Sequence, residues 1–481
     1  MQVARALLSF ADRRERSADE PVYRTDTPRG RPVSYVLVAL LTLAGLAYSL
    51  LLGSGTRFPD ERDYLALAAS LAHEGTYSYD GRTPNAMRTP GYPVLLAPVA
   101  ATARAIAPAV RPGDAGAPEA TEGALDASGT LPLASVASPA EVAVTVHLAR
   151  TLQFLAVGLS TLALASLAGV GARDRAGLPL ASTEGLPRDA LGAAMLVGLA
   201  GYPVVVYTAG TLFPQTAVLA LAALVLWLLE RARPDGRRAL LIGLLCGATV
   251  EVTPTALTIV PMALLHVALS SRWRARHVVV VALAACLLPG AWLARNQIVL
   301  DETILFSRNL AYNLDNAVLE LDPLVISETE RSPRSSLGHG IERLEQLVGS
   351  PGAYLERLRR HFAWRNDMQV AAESSRARDL VMLVSYATLL GLVALRLALA
   401  RRAPLSPAER SVLLLYAMTA AFHALVFVRI RYRVPFDFLL LLPAANAVLV
   451  GVAAARSSRR GDGPAGPGAG RRHSEPRTTA P

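Results

Sequence analysis

The sequence predicts an all-α integral membrane protein, a polytopic helical bundle with ten or eleven transmembrane helices. Hydrophobic residues make up 52% of the 481 residues, and the mean hydropathy is +0.35, which is too apolar for an ordinary soluble enzyme. Several apolar runs also reach the roughly 20 residues that a helix needs to cross a bilayer. These observations exclude a soluble globular protein and favour a membrane-embedded one.

The apolar runs give the predicted helices in chain order. The first follows a polar segment, residues 1–33, in which we find no cleavable signal peptide. The run Leu240–Ser270 is predicted as two short helices broken near Glu251-Val252-Thr253-Pro254, because proline disfavours helix in the residue before it. The run Tyr92–Val110 is apolar but contains three prolines and Arg104, so the sequence leaves open whether it crosses the membrane. The clearest spans are Ser34–Gly53, Val142–Val170, Leu191–Ala209, Leu212–Leu229, Val278–Ala294, Leu380–Ala400, Ser411–Val428 and Val434–Ala455.

The charged residues predict which side of the membrane each loop faces. All 48 basic residues are arginines, and many lie in short loops between spans, where they indicate a cytoplasmic side rather than nucleic-acid binding. We expect a multi-pass protein of a bacterial-type plasma membrane with its functional face outside the cell. The predicted parts are a cytoplasmic segment (1–33), a transmembrane module (34–297) with an extracytoplasmic first loop (54–92), an extracytoplasmic cap (298–377), C-terminal spans (378–455) and a disordered cytoplasmic tail (456–481).

The first extracytoplasmic loop carries the strongest candidate for chemistry. Asp60 and Glu61 begin a stretch whose apolar residues have helical spacing, which predicts a short interfacial helix with acids in its first turn. Such acids also complement a helix dipole, which is the structural alternative. Because this helix follows directly after a membrane span, a carboxylate on it can reach a substrate hydroxyl as a general base. Tyr64 on this helix and Tyr92 in the returning loop are candidate substrate contacts, and Arg88 in the same loop is a candidate ligand of a donor phosphate.

A second candidate site is Arg429-Ile430-Arg431-Tyr432-Arg433, between two predicted spans on the outer side. Three arginines there run against the positive-inside tendency, and charges at membrane depth are usually functional. The guanidinium group matches a phosphate bidentately, so the cluster suits the phosphate of a lipid carrier. The alternative is an ordinary cytoplasmic loop. We expect Asp60, Arg88 and either Arg431 or Arg433 to line one cavity.

Three further residues are candidate substrate contacts. Arg295 and Asn296 end a predicted span on the outer side, although arginine is also common at ordinary helix C-termini. Glu251 lies near the break of the membrane hairpin, where an acid is a functional candidate by default. Neither the cysteines nor the histidines show metal-ligand spacing, so we predict no certain cofactor and no fixed metal site, and leave dependence on a divalent cation open.

These motifs resemble those of a known family. Pro59-Asp60-Glu61-x-x-Tyr64 followed by Arg88-x-Pro90-Gly91-Tyr92-Pro93 is similar to the first extracytoplasmic loop of GT-C glycosyltransferases of family 39, the protein mannosyltransferase and aminoarabinose transferase group. Arg431-Tyr432-Arg433-x-Pro435 before the last span also fits. The resemblance covers most of residues 34–455. It departs at Gln215, where family members often have an acid, and segment 295–377 is too short for the β-trefoil insertion of the eukaryotic enzymes.

The resemblance implies a function and a catalytic residue. It implies transfer of a sugar from a polyprenyl-phosphate donor to an acceptor hydroxyl on a protein, lipid or cell-wall glycan, with inversion at the anomeric centre. The catalytic aspartate of the family corresponds to Asp60, with Glu61 beside it. The expected partners are the lipid-linked donor, membrane lipid and an acceptor of unknown identity, without nucleic acid. Two alternatives remain, a transporter or flippase of a lipid-linked sugar, and a noncatalytic assembly partner.

Overall fold

The computed structural model describes residues 32–107, 136–168, 195, 198–199, 201–231, 233–309, 345, 349, 351–364, 375–426 and 428–461. Across these ranges the chain is helical, and the described residues include no β-strand; Ser78 and Pro84 form an isolated antiparallel bridge. The described helices are α1 (Pro32–Leu52), α2 (Pro59–Glu74), α3 (Gly91–Ile106), α4 (Pro139–Leu167), α5 (Pro203–Ala209), α6 (Gln215–Arg231), α7 (Gly236–Val252), α8 (Ile259–Leu269), α9 (Ala275–Leu300), α10 (Pro351–His361), α11 (Arg376–Leu399), α12 (Pro407–Val426), α13 (Ile430–Leu439) and α14 (Leu441–Gly461).

Long apolar helices identify a helical membrane protein. By length and composition, five stretches among the described residues could cross a membrane, namely Val33–Leu52, Pro139–Leu167, Ala275–Leu300, Arg376–Leu399 and Ile430–Val452. Each overlaps a span predicted from hydropathy. The predicted span Leu191–Ala209 is described only in part, at 195, 198–199 and 201–209, and the predicted span Leu212–Leu229 corresponds to α6, which has 17 residues. The total of ten or eleven spans therefore stays a prediction.

The predicted break in the run Leu240–Ser270 is confirmed. Helix α7 ends at Val252, Thr253 is extended, and a 3₁₀ turn at Pro254–Ala256 leads into α8. The proline ring forbids helical geometry in the preceding residue, which explains why α7 stops there. Two boundaries differ from prediction: α9 continues to Leu300 instead of ending at Ala294, and α14 continues to Gly461, into the predicted tail.

Two glycines allow α7 and α9 to pack closely against each other. A methyl group on Gly243 of α7 would lie 2.5 Å from the carbonyl oxygen of Val281 on α9, and one on Gly247 would lie 2.6 Å from that of Ala285. This is the glycine spacing that lets membrane helices approach each other backbone to backbone. The α7–α9 contact therefore fixes the position of the turn that follows α7.

The chain that follows α1 folds as a helical hairpin made of α2 and α3. Helix α2 ends at Gly75, whose φ of +67° is the left-handed conformation that glycine adopts without steric cost. The chain then returns through residues 76–90 to α3, which packs against α2. A methyl group on Gly91 would lie 2.4 to 2.6 Å from backbone atoms of Glu251 and Val252. Glycine at the start of α3 is therefore needed to bring the hairpin against the end of α7.

Candidate functional site

An open cavity with about 520 Å³ of empty space, solvent at its mouth included, lies where the first loop meets α6, α7 and α13. Its charged side chains belong to segments far apart in sequence, and neutral polar and aromatic residues complete the wall. The lining residues are Asp60, Tyr64, Arg88, Thr89, Phe213, Pro214, Gln215, Thr253, Pro254, Thr255, Ser307, Asn309, Arg431 and Tyr432.

A chain of carboxylates and guanidinium groups forms the charged side of this cavity. Asp60 accepts hydrogen bonds on both oxygens, from Arg88 Nη2 at 2.6 Å and from Arg431 Nη1 at 2.9 Å. Arg88 also donates to Asp63 Oδ2 from Nη2 at 2.7 Å and from Nε at 3.1 Å. The expected convergence of Asp60 and Arg88 with an arginine of the 429–433 cluster is therefore found for Arg431.

The two aspartates of this chain differ in acidity. Burial opposes ionisation of Asp60, but Arg88 and Arg431 outweigh it and hold its pKa below the ordinary aspartate value. For Asp63, burial outweighs the attraction of Arg88, and the nearby charge of Asp60 adds to it, so its pKa is raised. Asp60 is therefore ionised at neutral pH and has 22% of its side chain exposed to the cavity.

Arg431 is the most accessible of these charges. Its side chain is 39% exposed, against 12% for Arg88. Its guanidinium group lies 5.2 Å from the ring centre of Phe213 and 5.1 Å from that of Tyr432, and it also donates to the Tyr432 hydroxyl at 3.2 Å. The group is thus oriented by two aromatic rings, and its exposed part is accessible to a ligand in the cavity.

Glu61 fixes the start of α2 and lies apart from the cavity. Its Oε2 accepts the backbone N–H groups of Arg57 at 2.5 Å and Phe58 at 3.0 Å, and Oε1 accepts that of Leu212 at 2.7 Å. The side chain is fully buried. This is a helix-capping role combined with a tie to the segment before α6. The position differs from the catalytic role predicted for Glu61, because its oxygens already serve three backbone donors.

The loop that carries Arg88 is held by Tyr77 from inside. The Tyr77 hydroxyl lies between the carbonyl oxygens of Arg88, at 3.1 Å, and Thr89, at 3.0 Å. The Tyr77 ring packs edge-on against Trp292 of α9, with ring centres 5.1 Å apart. The backbone of Arg88 is therefore held in position by contacts with the long apolar helix α9, and not by the loop alone.

Arg295 and Asn296 support the same loop instead of lining the cavity. Arg295 donates to the carbonyl oxygen of Asn85 and to Asn296 Oδ1, both at 2.9 Å, and Asn296 donates to the carbonyl oxygen of Ile304 at 2.9 Å. Asn296 is fully buried. The sequence predicts a direct substrate contact for both residues. In the structure they instead position the Arg88 loop and the segment after α9.

Arg433 is directed away from the cavity, into the protein interior. It is 2% exposed and pairs with Asp437 at 2.9 Å, one helical turn later in α13. It also donates to the backbone carbonyl oxygens of His361 and Ala363 at the end of α10. The prediction that Arg433 binds a donor phosphate is therefore wrong for this geometry, since the guanidinium group is sealed from the cavity.

Three other predicted site residues are also outside the cavity lining. Arg429 immediately precedes α13 and is half-buried. Tyr92 is 2% exposed and donates to Gln153 at 3.2 Å, so it belongs to the core, although its ring supports Tyr64 edge-on at 5.0 Å. Glu251 is buried, and neither carboxylate oxygen has a partner among the described residues. The turn that follows Glu251 does line the cavity.

Several cavity residues were not singled out from sequence as site residues. Gln215 begins α6, and its amide is buried, while Thr253 and Thr255 hydrogen-bond each other at 3.0 Å in the turn after α7. The helix break at Pro254 was the available signal for the threonines, because non-helical backbone at membrane depth is tolerated where it lines a cavity. Within the described ranges, no group of three or more His, Cys, Asp or Glu residues is arranged to hold a metal ion.

Comparison with protein-family models, with curated proteins and with solved structures gives no match to this chain. We therefore infer the function from the residues of the cavity and from the chemistry that they can perform.

Proposed function

We propose that this protein is a membrane glycosyltransferase that moves a sugar from a polyprenyl-phosphate donor to an acceptor hydroxyl at the extracytoplasmic surface. The observation that carries the proposal is the hydrogen-bonded chain Arg431–Asp60–Arg88 within one cavity. It combines an ionised carboxylate with an accessible guanidinium group, which are the two groups that displacement of a phosphate by an alcohol requires. Both lie beside long apolar helices, where a lipid-linked donor presents its head group.

In the proposed reaction, Asp60 is the base and Arg431 stabilises the leaving group. The acceptor O–H gives its proton to an oxygen of Asp60 while its oxygen bonds to the anomeric carbon of the sugar. The bond from that carbon to the phosphate oxygen breaks, and the electron pair leaves with the phosphate. Arg431 binds the phosphate, and attack from the opposite face inverts the anomeric centre.

The contact between Asp60 and Arg431 couples donor binding to activation of the base. Without substrate, Arg431 occupies Oδ2 of Asp60 at 2.9 Å. When Arg431 turns to a phosphate, that oxygen becomes free to accept a proton. Loss of the Arg431 contact also removes one of the two charges that lower the Asp60 pKa, so the carboxylate becomes a stronger base. Arg88 keeps the other oxygen in place throughout.

Topology follows from the same proposal. We propose ten or eleven spans in a bacterial-type plasma membrane, with the cavity on the extracytoplasmic side and the arginine-rich loops in the cytoplasm. Dependence on a divalent cation is left open by the proposal. The rival is a flippase that binds a lipid-linked sugar in the same cavity without forming or breaking a bond.

The test is sugar transfer by the purified full chain in lipid nanodiscs. Polyprenyl-phosphate sugars labelled in the sugar are supplied with membrane extract as acceptor, and the label is followed into material that no longer carries the lipid phosphate. Release of free polyprenyl phosphate in equal amount supports transfer. Label that remains on the lipid in every preparation, together with lipid movement across the bilayer in liposomes, would establish the flippase instead.

A further inference from the structure

Gln215 has an unused hydrogen-bonding group in the wall of the cavity. The residue is 2% exposed, and its Oε1 has no partner among the described residues. Leaving a buried polar group unbonded is costly, and such groups in folded proteins are almost always satisfied. Since Gln215 lines the cavity, a ligand in that cavity is able to satisfy it.

The position of Gln215 is fixed relative to Arg431. It follows Phe213, whose ring lies 5.2 Å from the Arg431 guanidinium group. The segment is also tied to α2, because Glu61 accepts the backbone N–H of Leu212 at 2.7 Å and the rings of Phe58 and Phe213 pack 5.2 Å apart. Arg431 and Gln215 line the same cavity, so a group bound by Arg431 shares that cavity with Gln215.

The chemistry of Gln215 suits a sugar rather than a phosphate. An amide both donates and accepts hydrogen bonds, as does a sugar hydroxyl, whereas a phosphate oxygen at neutral pH mainly accepts. The cavity wall also contains the neutral polar side chains of Thr253 and Thr255. The cavity thus has a charged part, with Asp60, Arg88 and Arg431, and a neutral part.

We propose that Gln215 recognises a hydroxyl group of the donor sugar and thereby contributes to the choice of sugar. The inference rests on the proposed function, because it takes the ligand of Arg431 to be a sugar-bearing lipid phosphate. In that arrangement the sugar is joined directly to the phosphate held by Arg431, so its hydroxyls lie within reach of Gln215.

The test compares two ligands on Gln215→Leu and Gln215→Met in nanodiscs. Farnesyl phosphate carries the phosphate alone, and farnesyl-phosphate mannose, glucose and arabinose carry a sugar in addition. The sugar-bearing lipid that binds the parent protein most tightly is used for the comparison. Gln297→Leu is the matched control, since Gln297 is an exposed glutamine of α9 that bonds only to its local neighbours Asp301 and Thr303 among the described residues.

We expect both Gln215 variants to bind farnesyl phosphate within 2-fold of the parent and the sugar-bearing lipid about 2- to 13-fold more weakly, as for one neutral hydrogen bond. Their unfolding temperature should not fall, because an apolar side chain removes an unbonded group. The control should leave both affinities unchanged. A fall in unfolding temperature with equal weakening of both ligands would assign Gln215 a purely structural role and overturn the inference.

Two outcomes separate failure of this inference from failure of the proposed function. If the parent protein binds farnesyl phosphate but no sugar raises the affinity, or the variants bind the sugar-bearing lipid as the parent does, the inference alone is wrong. If the parent protein does not bind farnesyl phosphate at all, the phosphate site is wrong, and the proposed function fails together with the role of Gln215.

Discussion

Replacing Asp60 with asparagine tests the proton-accepting role directly. The amide has nearly the same shape but cannot accept a proton, so the acceptor hydroxyl keeps its proton through the displacement. A positioned general base contributes roughly 100- to 10,000-fold to a rate, which corresponds to about 2.7–5.4 kcal/mol of barrier. We therefore expect Asp60→Asn to slow sugar transfer by at least about 100-fold.

The structure also sets the expected cost in stability. Asparagine retains one oxygen, so one of the contacts with Arg88 and Arg431 persists as a neutral acceptor. A hydrogen bond to a charged group contributes about 1.5–3 kcal/mol when buried. Here Asp60 is 22% exposed and Arg431 39% exposed, so solvent screening reduces this value. We expect a loss of about 1–2 kcal/mol in the free energy of unfolding, and a protein that still folds.

The assay measures transfer, unfolding temperature and farnesyl phosphate binding on the same nanodisc preparation. We expect a large loss of transfer, a small loss of stability and unchanged or tighter phosphate binding, because Arg431 is less firmly held by an amide. Glu61→Gln is the informative comparison, since it alters a buried helix cap outside the cavity. It should lower the free energy of unfolding but have little effect on the transfer rate per folded molecule. Transfer by Asp60→Asn within 3-fold of the parent would refute the assignment.

Three further predictions concern the arginines and pH. Arg431→Lys should weaken donor binding by about 10- to 150-fold, measured by titration with farnesyl phosphate, because an ammonium group cannot reproduce the two-pronged contact. Arg433→Lys should instead destabilise the protein by about 1–3 kcal/mol, measured by denaturant unfolding, since a lysine can pair with Asp437 but cannot also donate to the carbonyl oxygens of His361 and Ala363. Because the Asp60 pKa is lowered in the free protein and rises when Arg431 binds phosphate, kcat should fall at higher pH than kcat/KM as the solution is acidified.

Each of these has a contradicting result. Unchanged donor affinity in Arg431→Lys would mean that Arg431 does not bind the phosphate. The arginine cluster would then be an ordinary positive-inside signal for membrane topology, which lysine provides equally well. Loss of farnesyl phosphate binding in a stable Arg433→Lys protein would contradict its structural role. In the pH series, Asp60 is ionised above the ordinary aspartate range near 4 and loses its charge as pH falls through its lowered pKa. Coincident acid limbs for kcat and kcat/KM would rule out the coupling to Arg431.

Local patterns predicted much of the framework. The apolar runs predicted the long helices, and Pro254 predicted the break after α7, because both depend on properties of short stretches of chain. The capping role of Glu61 was also predictable, since the third residue after the N-cap of a helix is a recognised position for a capping glutamate. The sequence alone does not separate the roles of Asp60 and Glu61, because both are acids in the first turn of α2 and differ only in burial.

Contacts between distant segments were not predictable in the same way. Arg431 and Arg433 are indistinguishable in sequence, yet two residues along a helix turn the side chain by about 200°, so one faces the cavity and the other the interior. Which one faces Asp60 depends on the rotation of α13, which is set by packing. Gln215, at the start of α6, and Ser307, in the segment after α9, also reach the cavity through packing of the whole bundle.

The contact between Arg433 and α10 has a consequence for how freely this part of the chain can vary. Arg433 recognises the main-chain carbonyl oxygens of His361 and Ala363, and every amino acid supplies that oxygen. The contact with Arg433 itself therefore makes no demand on the side chains at these positions. Substitution of Ala363 should leave this attachment of α13 to α10 in place, whereas the buried His361 ring is constrained by its own packing against Tyr416 and His423.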